Sequence, residues 1–181
     1  LVTAADGGIY PVGGGTALDL GRVPSKPGFA LDTRNLNAVV EHASRDMTVT
    51  VQAGITVREL ADVLANENQW LPIDVPHPER ATVGGAVAAN LSGPRRFGQG
   101  PFRDYVIGIS FVTDEGVAVK GGGRVVKNVA GYDMNKLFIG SLGAFGVVLE
   151  TTYRLVALPQ EDQVLAVLFP TLAQATAAAV A

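Results

Sequence analysis

The sequence contains no cysteine, which excludes several kinds of chemistry at once. Disulfide bonds, metal sites built from thiolates and a cofactor attached through a cysteine sulfur all require that residue. Histidine is scarce as well, with only His42 and His77 in 181 residues. A metal site that depends on several imidazole ligands is therefore not expected.

The chain also lacks long basic runs and long apolar runs. Its formal net charge is −3 at pH 7, and Arg95-Arg96 is its only pair of adjacent basic residues. Proteins that bind nucleic acids usually carry a basic patch, so a nucleic-acid partner is not predicted. No apolar stretch reaches the roughly 18 residues of a membrane-spanning helix, and no signal-peptide pattern opens the chain. These absences predict a cytoplasmic protein without direct membrane insertion.

Glycine is frequent, and it is concentrated in a few places. The chain has 22 glycines in 181 residues, which is well above the roughly 7% of average proteins. Most of the excess stands at positions 13–15, 84–85, 121–123 and 140–146. Because these clusters follow no repeat, they indicate a backbone that closely approaches a ligand or another part of the chain.

The first cluster lies in the sequence PVGGGT at residues 11–16, which follows a short predicted strand at 9–12. Consecutive glycines allow positive φ angles, and their successive N–H groups can form a concave site for an anion. This pattern predicts one wall of a diphosphate site. The alternative is a plain glycine-rich turn between two strands.

A second glycine loop, Thr82 to Gly85, favours the diphosphate interpretation. It belongs to a run of small residues, ATVGGAVAAN at 81–90, which predicts a short helix that begins near Gly85. The free N–H groups and the dipole of such a helix would suit an anion, although close packing alone would also explain the small residues. Neither a Rossmann fingerprint nor a P-loop is present. We therefore expect two backbone loops to hold a diphosphate without a lysine cluster.

Strand and helix patterns alternate irregularly, which favours an α+β fold with a ligand between two lobes. Thr56 and Glu59 have the spacing of a capping box, and Val57, Leu60 and Leu64 form one apolar helix face behind it. The other predicted elements are strands at 29–32, 39–42, 48–52, 70–73, 106–112, 117–120, 147–156 and 164–169, a loop at 92–102, a short helix at 135–139 and a terminal helix from 171.

Taken together and in order, the motifs resemble a known family. PVGGGT, Gln52-Ala53-Gly54, ATVGGAVAAN, KNVAGYD and GSLGAFGVVLE follow one another between residues 9 and 158. This series resembles the FAD-binding domain of the vanillyl-alcohol oxidase/PCMH flavoprotein superfamily. The run KNVAGYDMNKLFIGSLGAFGVV is most similar to the FAD-binding subunits of glycolate oxidase, also called glycolate dehydrogenase.

This resemblance implies a PCMH-type FAD-binding domain of two α+β subdomains with the cofactor between them. Residues 1–54 would form the first subdomain, 55–158 the second, and 159–181 the start of a C-terminal cap domain. We expect the chain to be truncated at both ends, because the family has a strand–helix unit before the first glycine loop and a complete cap domain after the last strand.

The resemblance also implies which residues contact FAD. The first loop would wrap around the diphosphate, the second would reach the diphosphate and the ribityl chain, and later positions would lie beside the flavin or the adenine. Some relatives attach the flavin through a histidine in the first loop. Thr16 occupies that position here, so non-covalent FAD is expected. In chain order the implied cofactor-binding residues are Gly13, Gly14, Gly15, Thr16, Pro76, Thr82, Gly84, Gly85, Asn90, Gly93, Gly98 and Val147.

A few polar residues could have either a structural or a functional role. Lys127 is either a surface lysine or a charge near the flavin or its phosphates. Tyr132 and Asp133 are expected to anchor a loop to the following helix by hydrogen bonds. His77 is expected to be structural rather than catalytic. No catalytic residue is assigned, because in this family the cap domain supplies the groups that bind the substrate.

The function implied by the resemblance is the oxidation of glycolate, or a similar small 2-hydroxy acid, to a 2-keto acid by hydride transfer to the flavin. Such a subunit would work with a second flavin subunit and an iron–sulfur subunit, and any membrane association would come through these partners. Two alternatives remain. One is a stand-alone dehydrogenase similar to the D-lactate dehydrogenases, and the other is a non-catalytic scaffold subunit with an FAD-binding fold.

Overall fold

The computed structural model describes residues 7–123 and 133–180. Within these ranges no helix is both long and apolar enough to cross a membrane. The strands are β1 (Gly8–Val12), β2 (Gly28–Asp32), β3 (Val39–Ala43), β4 (Thr48–Gln52), β5 (Gln69–Trp70), β6 (Val106–Val112), β7 (Ala118–Gly122), β8 (Val147–Arg154) and β9 (Val156–Ala157). The helices are α1 (Val57–Ala65), α2 (Val83–Ala89), α3 (Arg96–Gln99), α4 (Phe102–Tyr105), α5 (Met134–Phe138) and α6 (Leu172–Val180).

The largest sheet has five antiparallel strands in the order β3-β4-β8-β6-β7. Its middle strand, β8, pairs with β4 on one side and with β6 on the other. The buried hydroxyls of Thr50 and Thr152 form a hydrogen bond of 2.9 Å between β4 and β8. The sheet contains strands from both sides of Gly54, where we expect the boundary between the two subdomains, and this division stays a prediction.

The main core lies between the sheet and α1. Leu60 and Leu64 on the apolar face of α1 join Val49 and Val51 of β4 and Tyr153 of β8 in one cluster. These side chains are almost fully removed from water, and burial of each is worth roughly 1.5–3 kcal/mol. This core holds β4 and the segment that follows it in a fixed position.

A second core cluster lies beside α5. Phe111 of β6 and Phe138 of α5 face each other with ring centroids 3.9 Å apart. Ala53, which follows β4, and Val148 of β8 belong to the same cluster. The cluster therefore fixes the ends of strands that lead into the loops described below.

The strands β1 and β2 form a separate parallel pair, with Gly8 opposite Gly28 and Val12 opposite Asp32. The pair continues into the next residue, because the Thr33 N–H donates to the Val12 carbonyl oxygen at 3.0 Å. The first glycine loop starts directly after Val12. Its starting point is thus anchored by backbone hydrogen bonds.

Most predicted elements are confirmed, and the exceptions have physical reasons. The predicted strand at 164–169 is not a strand in the described structure, and Leu168 is 99% exposed. A strand needs a neighbour for its N–H and C=O groups, and β-branched composition alone does not supply one. The predicted loop at 92–102 contains the short helix α3 and the start of α4. Single helical turns are too short to produce an apolar period in sequence.

Candidate functional site

Residues of both glycine loops line one cavity. The cavity has a volume of about 270 Å³, close to the lower end of the range of ligand pockets, roughly 300–1,000 Å³. Eight of the predicted cofactor-binding residues line it, namely Gly13, Gly14, Gly15, Thr16, Thr82, Gly84, Gly85 and Val147. The expectation that the two loops meet at one groove is therefore confirmed.

The loops approach each other so closely that side chains would not fit between them. A Cβ atom on Gly14 would overlap the carbonyl oxygen of Arg80, and one on Gly13 would overlap the Thr82 hydroxyl. Contacts of this kind do not occur between real Cβ atoms and backbone. Glycine at these positions is thus required by packing between the loops, in addition to any contact with a ligand.

The first loop presents hydrogen-bond donors that have no acceptor among the residues that the structure describes. Within the described residues, no bond is recorded for the backbone N–H groups of Gly13, Gly14, Gly15 or Thr16. All four residues are half-buried and line the cavity. The described lining contains no Asp or Glu, and its one charged residue is Arg22. The cavity therefore combines unpaired donors with an absence of negative charge, which suits an anion.

The N-terminus of α2 differs from the prediction. The helix begins at Val83, two residues earlier than expected, and Thr82 caps it. Val83 and Gly84 donate to the carbonyl oxygens of Ile55 (2.9 Å) and Ala53 (2.7 Å), and Gly85 donates to the Thr82 hydroxyl at 3.4 Å. The expectation of free N–H groups at this helix is therefore wrong. The second loop contributes shape rather than donors, because its small residues leave space for a ligand.

A third wall was not assigned from the sequence. Leu142, Gly143, Gly146 and Val148 also line the cavity. Backbone bonds hold this segment against α2, since Gly140 donates to Val87 at 3.0 Å and Leu142 donates to Ala88 at 2.9 Å. The glycine cluster at 140–146 was the sequence signal that could have located this wall.

The segment that follows the first loop supplies further lining residues, namely Leu18, Leu20, Arg22 and Pro24. It has no regular secondary structure in the region before β2. No periodic pattern or motif marks these residues, so the sequence contained no signal for them.

A family model described as "FAD binding domain" matches residues 1–122, about two thirds of the chain. The chain belongs to this FAD-binding family. Together with the glycolate oxidase subunits among its relatives, this match identifies a PCMH-type FAD-binding domain of the vanillyl-alcohol oxidase/PCMH superfamily. The predicted fold class, a mixed fold of helices and sheets, is confirmed, and so is FAD as the cofactor of the family.

Curated relatives of this FAD-binding domain include two glycolate oxidase subunits. Subunit GlcD of Bacillus subtilis (strain 168) is 34% identical over 161 residues, which is 89% of this chain and 34% of the relative. Subunit GlcE of Escherichia coli (strain K12) is 37% identical over 134 residues, 74% of this chain and 38% of the relative. A D-lactate dehydrogenase of Archaeoglobus fulgidus is 34% identical over 169 residues, 92% of this chain and 37% of the relative.

The FAD-binding domain also resembles solved structures. A structure of alkyldihydroxyacetonephosphate synthase has a TM-score of 0.70 and 28% sequence identity, and the match covers 84% of this chain and 28% of that one. The chain thus spans about a third of the length of the curated relatives and a smaller part of this structure.

The described cavity fits the diphosphate of FAD. Four N–H donors that lack a protein acceptor and a lining free of carboxylates match a group with two negative charges. The half-buried Val147 and the buried Val148 line the same cavity, and these apolar residues suit a flat ring or a ribityl chain more than a second anion.

Four of the predicted cofactor residues do not line the described cavity, namely Pro76, Asn90, Gly93 and Gly98. Asn90 is the left-handed C-terminal residue of α2, with φ 53°. Gly93 has φ 61°, and a Cβ there would overlap Asp74, so local packing explains this glycine. A Cβ on Gly98 would meet no atom within 4 Å. Their contact with FAD stays a prediction.

The other polar candidates have local roles where the structure describes them. His77 has φ 55°, and its carbonyl accepts the N–H groups of Arg80 (2.9 Å) and Ala81 (2.8 Å), so it shapes the turn that faces Gly14. Asp133 forms an ion pair of 3.1 Å with Lys136. Lys127 and Tyr132 lie outside the described residues.

The end of β2 carries a well-defined ion pair next to the first loop. The Arg34 guanidinium donates to both carboxylate oxygens of Asp32, with distances of 2.6–3.0 Å, and the Arg34 N–H donates as well. These hydrogen bonds lower the pKa of Asp32 to about 2. The Asp32 carboxylate thereby neutralises the positive charge of the Arg34 guanidinium.

No cluster of three or more potential metal ligands occurs in the part of the chain that the structure describes.

Proposed function

We propose that the first glycine loop binds the diphosphate of FAD through the N–H groups of Gly13, Gly14, Gly15 and Thr16. The single observation that carries this proposal is that these four residues line the cavity and that their N–H groups have no acceptor within the described structure. Thr82, Gly84 and Gly85 form the opposite wall, and Val147 lies beside the remaining part of the cofactor. Hydrogen bonds to a charged phosphate are about twice as strong as neutral ones.

We further propose that the complete protein oxidises a small 2-hydroxy acid to a 2-keto acid. The relatives named for their reactions include glycolate oxidase subunits, a D-lactate dehydrogenase and a D-2-hydroxyglutarate dehydrogenase from Xanthomonas citri pv. viticola, which is 32% identical over 162 residues. Bound FAD would accept the hydride from the substrate, and the chemistry belongs to the cofactor. This chain's residues would bind the phosphates, orient the cofactor and exclude water from its surface.

The finer proposal is that the protein is the FAD-binding subunit of a glycolate oxidase-type complex. Support comes from GlcD and GlcE, which are both named as subunits of such an enzyme. A second flavin subunit and an iron–sulfur subunit would be its partners. The D-lactate dehydrogenase relative supports a stand-alone dehydrogenase as the second candidate.

The test is purification of the full-length protein alone and after co-expression with its genomic neighbours. Reduction of an artificial electron acceptor is measured with glycolate, D-lactate and D-2-hydroxyglutarate in each preparation. We expect bound FAD in both preparations and substrate-dependent reduction only in the co-expressed one. Full activity of the single chain would favour the stand-alone dehydrogenase. A protein that stays colourless after addition of FAD would contradict both candidates and favour a scaffold.

A further inference from the structure

The described cavity has one charged lining residue, Arg22. It lies in the segment that connects the first glycine loop to β2. Leu18, Leu20 and Pro24 of the same segment line the cavity with it, and none of them carries a charge. The unpaired N–H groups of the first loop and the Arg22 guanidinium thus belong to the same concave surface.

Arg22 has no side-chain partner among the described residues; Arg45, Arg80 and Arg103 share this property, but they do not line the cavity. Arg34 pairs with Asp32 at 2.6 Å, Arg58 with Glu79 at 3.4 Å, and Arg95 with Asp74 at 3.0 Å. No hydrogen bond, ion pair or ring contact is recorded for Arg22. Its positive charge is therefore free to interact with a ligand in the cavity.

The segment that carries Arg22 contains a tight turn. Leu20 donates its N–H to the Ala17 carbonyl at 3.2 Å. Gly21 follows with φ 90°, a conformation that favours glycine, and a Cβ there would lie 3.1 Å from Leu142 on the third wall. Gly21, the residue before Arg22, thus lies close to the third wall of the cavity.

We infer that Arg22 binds the FAD diphosphate and supplies the full positive charge that the glycine loop lacks. Backbone N–H groups carry only partial charges, whereas the diphosphate carries two negative charges. A guanidinium presents several donors in a planar fork that matches phosphate oxygens. This inference rests on FAD binding at the first loop, as proposed above.

The experiment measures FAD affinity with the flavin-free full-length protein. Dissociation constants are determined from the quenching of flavin fluorescence for the wild type, R22Q, R22K and R45Q. We expect R22Q to weaken FAD binding by roughly 10- to 100-fold, the usual effect of one hydrogen bond to a charged group. R22K should lie between R22Q and the wild type, because it keeps the charge but not the fork. R45Q is the matched control, since Arg45 is exposed and lies in the turn between β3 and β4.

Salt separates a charge effect from a change in local structure. The FAD affinity of the wild type should fall as salt is raised, and R22Q should show a smaller dependence because one ion pair is missing. An R22Q affinity within about twofold of the wild type, or an unchanged salt dependence, would overturn the inference. The same holds if R22Q leaves FAD affinity intact and raises the KM for the acid substrate, because Arg22 would then bind the substrate carboxylate. Failure of the wild type itself to bind FAD would instead contradict the proposed function.

Discussion

Gly14 sets the distance between the two loops that enclose the cavity. The position of its missing Cβ is occupied by the Arg80 carbonyl oxygen, which belongs to the turn shaped by His77. From the sequence, the glycine was expected to make room for a phosphate. The structure adds a second reason, because the side chain of any other residue would point at the neighbouring loop.

We predict that Gly14→Ala separates the loops and weakens FAD binding by about tenfold or more, with a loss of roughly 1–3 kcal/mol of stability from overpacking. Both effects are measurable, by flavin fluorescence and by urea denaturation. Gly7→Ala is the control, because a Cβ on Gly7 would make only ordinary contacts of 3.4 Å or more. Equal FAD affinity in Gly14→Ala and the wild type would mean that the loop contact does not matter for binding.

The residues that line the cavity differ in whether the sequence alone could assign them. Gly13 to Thr16 could be assigned because the three glycines follow a short strand, can form a concave anion site and are followed in the chain by a second glycine loop at 82–85. Arg22 could not be assigned, because a single arginine in an irregular segment has no distinguishing pattern, whereas Leu142 lies inside the glycine cluster at 140–146, which had not been assigned to a wall of the cavity. Their position depends on the turn at Gly21 and on backbone bonds to α2, which are visible only in three dimensions.

At the scale of elements, α1 connects the core to the second loop. Its N-terminal residue Thr56 forms a capping box with Glu59 and also a bridge to Thr82. Val57 donates its N–H to the Ala81 carbonyl at 2.9 Å. The start of this helix therefore supports the segment that forms the second wall of the cavity.

We predict that Thr56→Ala lowers the free energy of unfolding by about 1 kcal/mol, because the Glu59 N–H loses its acceptor at the helix start. Urea denaturation at pH 7 measures this difference. Thr113→Ala is the control, since Thr113 lies in an exposed turn whose hydroxyl accepts one N–H at 3.3 Å. A Thr56→Ala protein as stable as the control would show that the cap is dispensable.

The capping box also has an expected pH dependence. The Glu59 carboxylate accepts the Thr56 N–H and hydroxyl, and these bonds lower its pKa from the usual 4.5. The stability that Glu59 adds is therefore present above about pH 4.5 and is lost as the pH falls through the lower folded pKa. The difference in stability between the wild type and E59Q should shrink accordingly in acid.

Local signals explain which elements could be predicted. The α1 helix, the β3–β4 hairpin and β6 have a cap, a turn or a long apolar run within a few residues of sequence. By contrast, the strand expected at 70–73 is only the two-residue β5 (Gln69–Trp70), which exists because it pairs with β9, far along the chain. The sequence placed the start of α2 two residues too late, because the observed start at Val83 depends on the backbone carbonyl acceptors of Ala53 and Ile55.

At the scale of the whole molecule, the non-covalent attachment of FAD stays a prediction. The sequence has no cysteine, and Thr16 stands at the position where some relatives carry the linking histidine. Both histidines of the sequence, His42 and His77, lie outside the described cavity lining. A cofactor held by hydrogen bonds and packing is expected to leave when the fold is lost.

We predict that precipitation of the FAD-loaded full-length protein with trichloroacetic acid releases all the flavin into the supernatant. Absorbance of the supernatant near the flavin bands measures the released fraction. A second preparation precipitated after removal of the flavin provides the baseline. Yellow colour that persists in the washed pellet would contradict non-covalent binding.

The arrangement of the large sheet has a consequence for biosynthesis. Thr50 and Thr152, which pair across β4 and β8, are 102 positions apart in the chain. At synthesis rates of about 5–20 residues per second, roughly 5–20 s pass between the synthesis of β4 and that of its partner strand β8. During that interval its open edge is free to pair with other nascent chains, so this domain is expected to depend on chaperones during translation.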